Sequence, residues 1–285
     1  MFPDIGRPIA DAVNDGVRWL VVNYGGAFES FANALLFVLV PIEQGLRALP
    51  PWIVLVAVAL IAFAASRKIV LAIVLAFLMW LIGALGLWDQ AMQTVAIVLV
   101  SVTLAILIGI PVGILAARSD LARTAINPVL DLMQTIPSFV YLIPAAMLFG
   151  LGKVPAILAT IVYATPPLIR LTDLGIREVD KSVIEASRAF GATLRQILTG
   201  VQIPLALPSI MQGINQTIVM ALSMVVIASM IGARGIGETV LIGLQRNDAG
   251  TGLVGGLAIV ILAIVFDRIS QSFGQRLQSY RVVRG

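Results

Sequence analysis

The amino-acid sequence predicts an all-α polytopic membrane protein with about seven transmembrane helices and an interfacial helix near the N-terminus. The 285 residues are 59% apolar and only 12% charged. A soluble domain carries roughly a quarter charged residues, because most of its surface faces water. The few charges lie between long apolar runs, and the mean hydropathy is +1.01.

A spanning helix needs about 20 largely apolar residues. Uncharged runs cover Pro50–Ser66, Ile69–Trp88, Gln90–Ala117, Leu132–Gly152, Val154–Ile169, Gln196–Ala233 and Ala249–Phe266. The sixth is too long for one helix. Its Pro204 and Pro208 are expected to separate a membrane-surface piece from a span starting near Ser209. Upstream, the short run Phe31–Ile42 is interrupted by Pro41 and flanked by Glu29 and Glu43. It is too short to cross and reads as an amphipathic helix lying in the interface. The expected organisation is an external segment over residues 1–50, two accessory spans over 51–89, a core over 90–275 and a tail over 276–285. Met1–Ala10 has no apolar core and does not read as a signal peptide.

Basic residues orient the chain. With the loop between spans five and six inside, the inner side receives Arg67, Lys68, Arg118, Arg123, Arg170, Arg177, Lys181, Arg188, Arg195, Arg268, Arg276, Arg281 and Arg284. The outer side receives Arg7, Arg18, Arg47, Lys153, Arg234 and Arg246. This asymmetry predicts an external N-terminus and a cytoplasmic C-terminus.

The sequence contains no His and no Cys. Zinc sites built on those ligands, thiolate catalysis and Ser-His-Asp triads are therefore excluded within this chain. There is no G-x-x-x-x-G-K-[ST] stretch to cradle nucleotide phosphates. Nor does an acid or base fall in the central part of any expected span, where an ion-coupled transporter usually keeps one. Uphill movement then needs energy from a partner, although sodium coupling through carbonyls and hydroxyls escapes this argument. The basic residues form no tract, so nucleic acid is not an expected partner.

Residues 173–208 form an organised cytoplasmic loop. Ser182-Val183-Ile184-Glu185 and Thr193-Leu194-Arg195-Gln196 both read as capping boxes. Gly191 is placed to end the first short helix in a left-handed cap. Small residues at Ala186, Ser187 and Ala189 leave a shallow face for a partner, although an ordinary membrane-surface hairpin has the same geometry.

Glu185-Ala186-Ser187, then Gly191, then Val201-x-Ile203-Pro204 resembles the E-A-A-x3-G-x9-I-x-L-P loop of ABC importer permeases. Ser187, Val201 and Ile203 are mild departures from that pattern. Met133–Pro144, Ala164–Arg170, Asn215–Thr217 and Ala221–Met230 are similar to the glycine betaine/choline/proline permease subfamily. The resemblance spans roughly residues 90–275. It implies a type I importer (MetI-like) five-helix core made of spans three to seven. It also implies an ATPase-coupling role for Glu185, Ala186, Ser187, Gly191, Val201, Ile203 and Pro204. The implied assembly is two copies of this chain, two ATPase subunits that carry ATP and magnesium, and an extracytoplasmic substrate-binding protein, all at a bacterial cytoplasmic (inner) membrane. This chain itself is expected to bind no cofactor and no metal, and to contact membrane lipid.

Polar residues within the spans have two readings. Gln134, Thr135, Ser138, Phe139 and Tyr141 either line a translocation path, with ring faces offered to a cation, or serve as packing and interhelical contacts. Gln212, Asn215, Gln216 and Ser223 fall near one helical face, which must meet protein or water rather than lipid. Dimer contact and pore lining both satisfy that requirement. The implied cargo is choline, glycine betaine or a similar quaternary ammonium osmolyte; proline or another amino acid is the alternative. An ion-coupled secondary transporter is a weaker rival, and a membrane enzyme lacks an acid/base set.

Overall fold

A computed structural model describes residues 5–282, with side chains through Arg276. Met1–Asp4 and most side chains of the expected 276–285 tail lie outside the described residues. Among the described residues every regular element is helical. Five helices are long and apolar enough to cross a membrane, or six when one bent pair is counted as a single span.

The N-terminal region departs from the sequence reading. Helix α1 runs unbroken from Gly6 to Ala48, 43 residues, with Pro41 inside it. The expected short interfacial helix is thus the end of a much longer one. Only the stripe carrying Leu35, Leu39 and Glu43 is buried. Pro41 removes one backbone donor, but Leu39 and Glu43 anchor the helix on both sides of it and hold its direction.

Helices α2 (Pro51–Ser66) and α3 (Ile69–Ala84) form an antiparallel pair of 16 residues each. They lie where two accessory spans were expected, but both are shorter than the helices long enough to cross a membrane. Helix α1, expected to lie in the interface, is one of the five that are long enough. Helix α4 (Trp88–Arg118) is the third expected span.

The fourth span is not one straight helix. Helix α5 (Asp120–Thr135) and a short 3₁₀ turn, Ser138–Tyr141, leading into α6 (Leu142–Phe149), meet at a bend of 106°. Pro137 explains the break, since it forces Ile136 into extended backbone. The Tyr141 hydroxyl spans the bend and donates to the Met133 carbonyl.

Helix α7 (Lys153–Arg177) continues two turns past the expected end at Ile169 and brings Asp173 into the buried interior. It is followed by α8 (Lys181–Ala189), α9 (Leu194–Ile197), a π-helical segment Leu198–Gln202 and α10 (Ile203–Ala228). The expected break at Pro204 and Pro208 does not occur: helix is continuous over Leu194–Ile231. Wider π-type hydrogen bonding just ahead of Pro204 lets the chain absorb a missing donor without ending the helix. Helices α11 (Ile236–Gln245) and α12 (Ala249–Val282) close the fold.

Helix α7 packs between α4 and α10. Glycines set the distances. A Cβ on Gly113 would lie 2.5 Å from Thr172 Cβ, and one on Gly175 would lie 2.6 Å from Ser209 Cβ. Helix association without a hydrophobic driving force depends on such close approach. Gly255 similarly meets Val240 across the α11–α12 pair.

One end of the bundle carries the cluster Glu43, Arg47, Asp89 and Lys153, in which Lys153 Nζ lies 2.6 Å from both Glu43 oxygens. The opposite end carries the Arg67–Lys68 turn, the α4–α5 junction and the C-terminal turns of α7 and α12.

Candidate functional site

The α8–α9 loop is a small, well-capped unit projecting from that second end. The first cap is not the expected one. Asp180, not Ser182, caps α8, and its Oδ1 accepts from the Ser182 amide at 2.8 Å. The Ser182 amide and, beside it, the Ser182 hydroxyl hold the Asp180 carboxyl below its ordinary range. Glu185 is therefore released from any reciprocal cap. Its side chain is exposed and makes no bond within the described chain.

The C-terminal end of α8 follows the sequence expectation. Gly191 adopts φ +80°, the Gly191 amide donates to Arg188 O at 2.9 Å and the Ala192 amide to Ser187 O at 3.0 Å. This is a Schellman ending, which needs a left-handed residue at that position. The second capping box is present: the Thr193 amide donates to Gln196 Oε1 at 2.8 Å while Thr193 Oγ1 accepts from the Gln196 amide.

The seven loop residues divide by depth. Glu185, Ala186 and Gly191 are exposed, and the Ser187 hydroxyl donates back to Val183 O. Val201, Ile203 and Pro204 are partly buried. Ile203 packs with Ile176, Leu198, Ala206 and Ile210 against Ile110 and Ile114 of α4. The motif thus has an outer part open to a partner and an inner part rooted in the bundle.

Ionic contacts brace the root. Buried Asp173 pairs with Arg177 at 2.8 Å and with Arg123 of α5 at 3.0 Å. Arg177 also reaches Asp120 and the Ala116 carbonyl, both at 2.7 Å. The ends of α4, α5 and α7 are joined in one network, directly behind the loop.

Two open faces occur within the spans. Gln212, Gln216, Val219 and Ser223 are all exposed along one side of α10. Asn215 leaves that face: its amide donates to Asp267 of α12 at 3.0 Å, where Gln271 also donates at 2.7 Å. At the α5 bend, Gln134, Thr135 and Phe139 are exposed and Ser138 is half-buried. Tyr141 instead has its hydroxyl committed to the bend, and it packs against the apolar cluster that includes Leu142, Ala156, Met224 and Ala228.

Residues 109–279 match the family described as "Binding-protein-dependent transport system inner membrane component". The chain belongs to this family. It is 46% identical to the glycine betaine/proline betaine transport system permease protein ProW of Escherichia coli, over 95% of this chain and 77% of that protein. It is 44% identical to the glycine betaine transport system permease protein OpuAB of Bacillus subtilis, over 95% of this chain and 96% of that one. Among solved structures, an inward-facing MetNI methionine ABC transporter chain superposes with a TM-score of 0.59 and 27% identity, covering 70% of this chain and 97% of its own length. The fold and subfamily implied by the sequence resemblance are those found. This is a multi-pass inner-membrane permease.

The permease loop holds one residue that sequence reasoning did not select. Phe190, the last residue before Gly191, is 93% exposed, and Leu194 and Val183 are exposed beside it in the same loop. A large aromatic just before a glycine cap was the available signal, but an aromatic there is equally consistent with packing against the bundle.

Proposed function

We propose that this permease moves a small methylated ammonium osmolyte of the glycine betaine type inward, driven by a separate ATPase that docks on the α8–α9 loop. The substrate class is supported by the two long-range relatives, whose stated cargoes share a quaternary ammonium. The open faces agree with such a cargo. They present neutral amides and hydroxyls with the Phe139 ring, which hold a cationic group weakly enough for release.

The energy route is supported by the loop's construction. Glu185 and Phe190 stand free at its outer surface, while Ile203 and the Asp173 network root it in α4, α5, α7 and α10. Push on the loop is carried by the continuous helix from Leu194 into α10, which bears the open face. Two copies would set their α10 faces, Gln212, Gln216 and Ser223, about a shared path, because amides facing lipid are costly. ATP and magnesium belong to the ATPase, and an extracytoplasmic binding protein delivers the cargo. The end with the α8–α9 loop is cytoplasmic in this reading.

Uptake of labelled glycine betaine into proteoliposomes tests the proposal. The vesicles contain this chain and its cognate ATPase, with the binding protein outside. Accumulation should require ATP inside and persist without ion gradients. Uptake driven by a sodium or proton gradient with no ATPase present would overturn it.

A further inference from the structure

A hollow of about 580 Å³ opens between the α2–α3 turn and the C-terminal part of α12. Arg67, Lys68, Arg268 and Arg276 line it, with Ser66 and Ser272 between them. No carboxylate is among the lining residues. Among the described residues, Arg67, Lys68 and Arg268 take part in none of the ion pairs. Arg276 donates to the Ala64 carbonyl, which closes the hollow on the α2 side. The neighbouring acid on α12, Asp267, is engaged by Asn215 and Gln271. Arg67, Lys68 and Arg268, with no ion-pair partner among the described residues, repel one another unless an anion sits among them.

Depth identifies the anion's source. Helices α2 and α3 have 16 residues each. At about 1.5 Å per residue they span roughly 24 Å, less than the roughly 30 Å hydrocarbon core. With the Arg47–Asp89 pair at their other ends set at the opposite interface, the turn between them lies no farther out than the headgroup layer. The rim is apolar: Ala65 and Leu71 line the hollow, and Ile69, Val70 and Ile73 are exposed on α3 beside it. A free phosphate makes no use of such a rim, whereas acyl chains lie along it.

We infer that this hollow is a binding site for the phosphate headgroup of an anionic membrane lipid, held by Arg67, Lys68, Arg268 and Arg276 at the cytoplasmic interface. Cationic pockets between spans on this side are suited to such headgroups. The site is separate from the coupling loop and both open faces; only its placement on the cytoplasmic side rests on the transport reading, and the lipid test does not depend on uptake.

Arg67 provides a discriminating variant. It adopts φ +57°, a conformation that glycine takes without strain. Arg67→Gly therefore removes a cation while relaxing the turn. The purified full-length chain in detergent is offered phosphatidylglycerol and phosphatidylcholine, and retained lipid is counted by native mass spectrometry. Wild type should retain phosphatidylglycerol preferentially. Arg67→Gly should weaken that retention roughly fivefold, and Arg67→Gly/Lys68→Gln/Arg268→Gln should abolish the preference, at about one fivefold step per charge. Unchanged retention in the triple variant would overturn the site. Displacement of the lipid by inorganic phosphate would overturn the lipid assignment and leave a free-phosphate site.

Discussion

At 93% exposure, the Phe190 ring stands clear of the bundle, next to a glycine that turns the chain. Beside it, Glu185 is exposed and unbonded. Neither residue contributes contacts that hold this protomer together, so both are open to a partner. Burying such a ring against an ATPase is worth about 2 kcal/mol, roughly thirtyfold in Kd. Phe190→Ser should weaken copurification of the ATPase by about that factor while leaving the thermal unfolding midpoint of the free permease unchanged. Equal copurification would remove the ring from the interface. The cap shows how little separates two local readings. Asp180 and Ser182 are both good capping types, and S-x-x-E favoured the second. The helix starts at Lys181 because the Asp180 carboxylate already serves the Ser182 amide.

Among the elements, α8 owes its end to Gly191. A Cβ there would meet nothing within 4 Å, so the constraint is backbone conformation and not space. A leucine held in the left-handed region costs about 1–2 kcal/mol, whereas asparagine is tolerated. Gly191→Leu should strongly reduce ATP-driven uptake and Gly191→Asn should retain most of it. Equal loss in both would assign the glycine to close approach by the partner instead. The other elements taught a different lesson. Pro137 bends its span by 106°, but Pro41, Pro204 and Pro208 sit in continuous helix. Proline removes a donor wherever it occurs. Whether the helix then breaks depends on what packs on either side.

The bundle as a whole is tied at its first end by Glu43, only 4% exposed, and Lys153, which join α1 to α7. Removing Lys153 leaves buried Glu43 with only the longer contact to half-exposed Arg47 at 3.6 Å, a loss of at most about 3 kcal/mol. Lys153→Met should lower the unfolding midpoint in detergent, and the double variant Lys153→Met/Glu43→Gln should recover most of the difference. An equally large drop in the double variant would show that the pair is not coupled. At the second end, the Asp173 network performs the corresponding task for α4, α5 and α7. That end also carries the loop and the basic hollow, so partner and lipid would act on the same side of the membrane.

The sequence alone determined the all-helical, polytopic class, because scarce charge and long apolar runs leave the chain no other way to satisfy its backbone. Part of the loop was equally legible: Gly191 and the Thr193–Gln196 box follow from short-range capping and turn chemistry, whereas the start of α8 fell to Asp180 and the helix ran on through Pro204. Tertiary structure decided the remainder. It extended α1 through Pro41, bent the fourth span, continued α10 through two prolines, and turned Asn215 from its expected face to Asp267. It also gathered Arg67, Lys68, Arg268 and Arg276, from two distant parts of the chain, around one hollow. In each case the outcome rests on neighbours remote in sequence, which local periodicity does not encode.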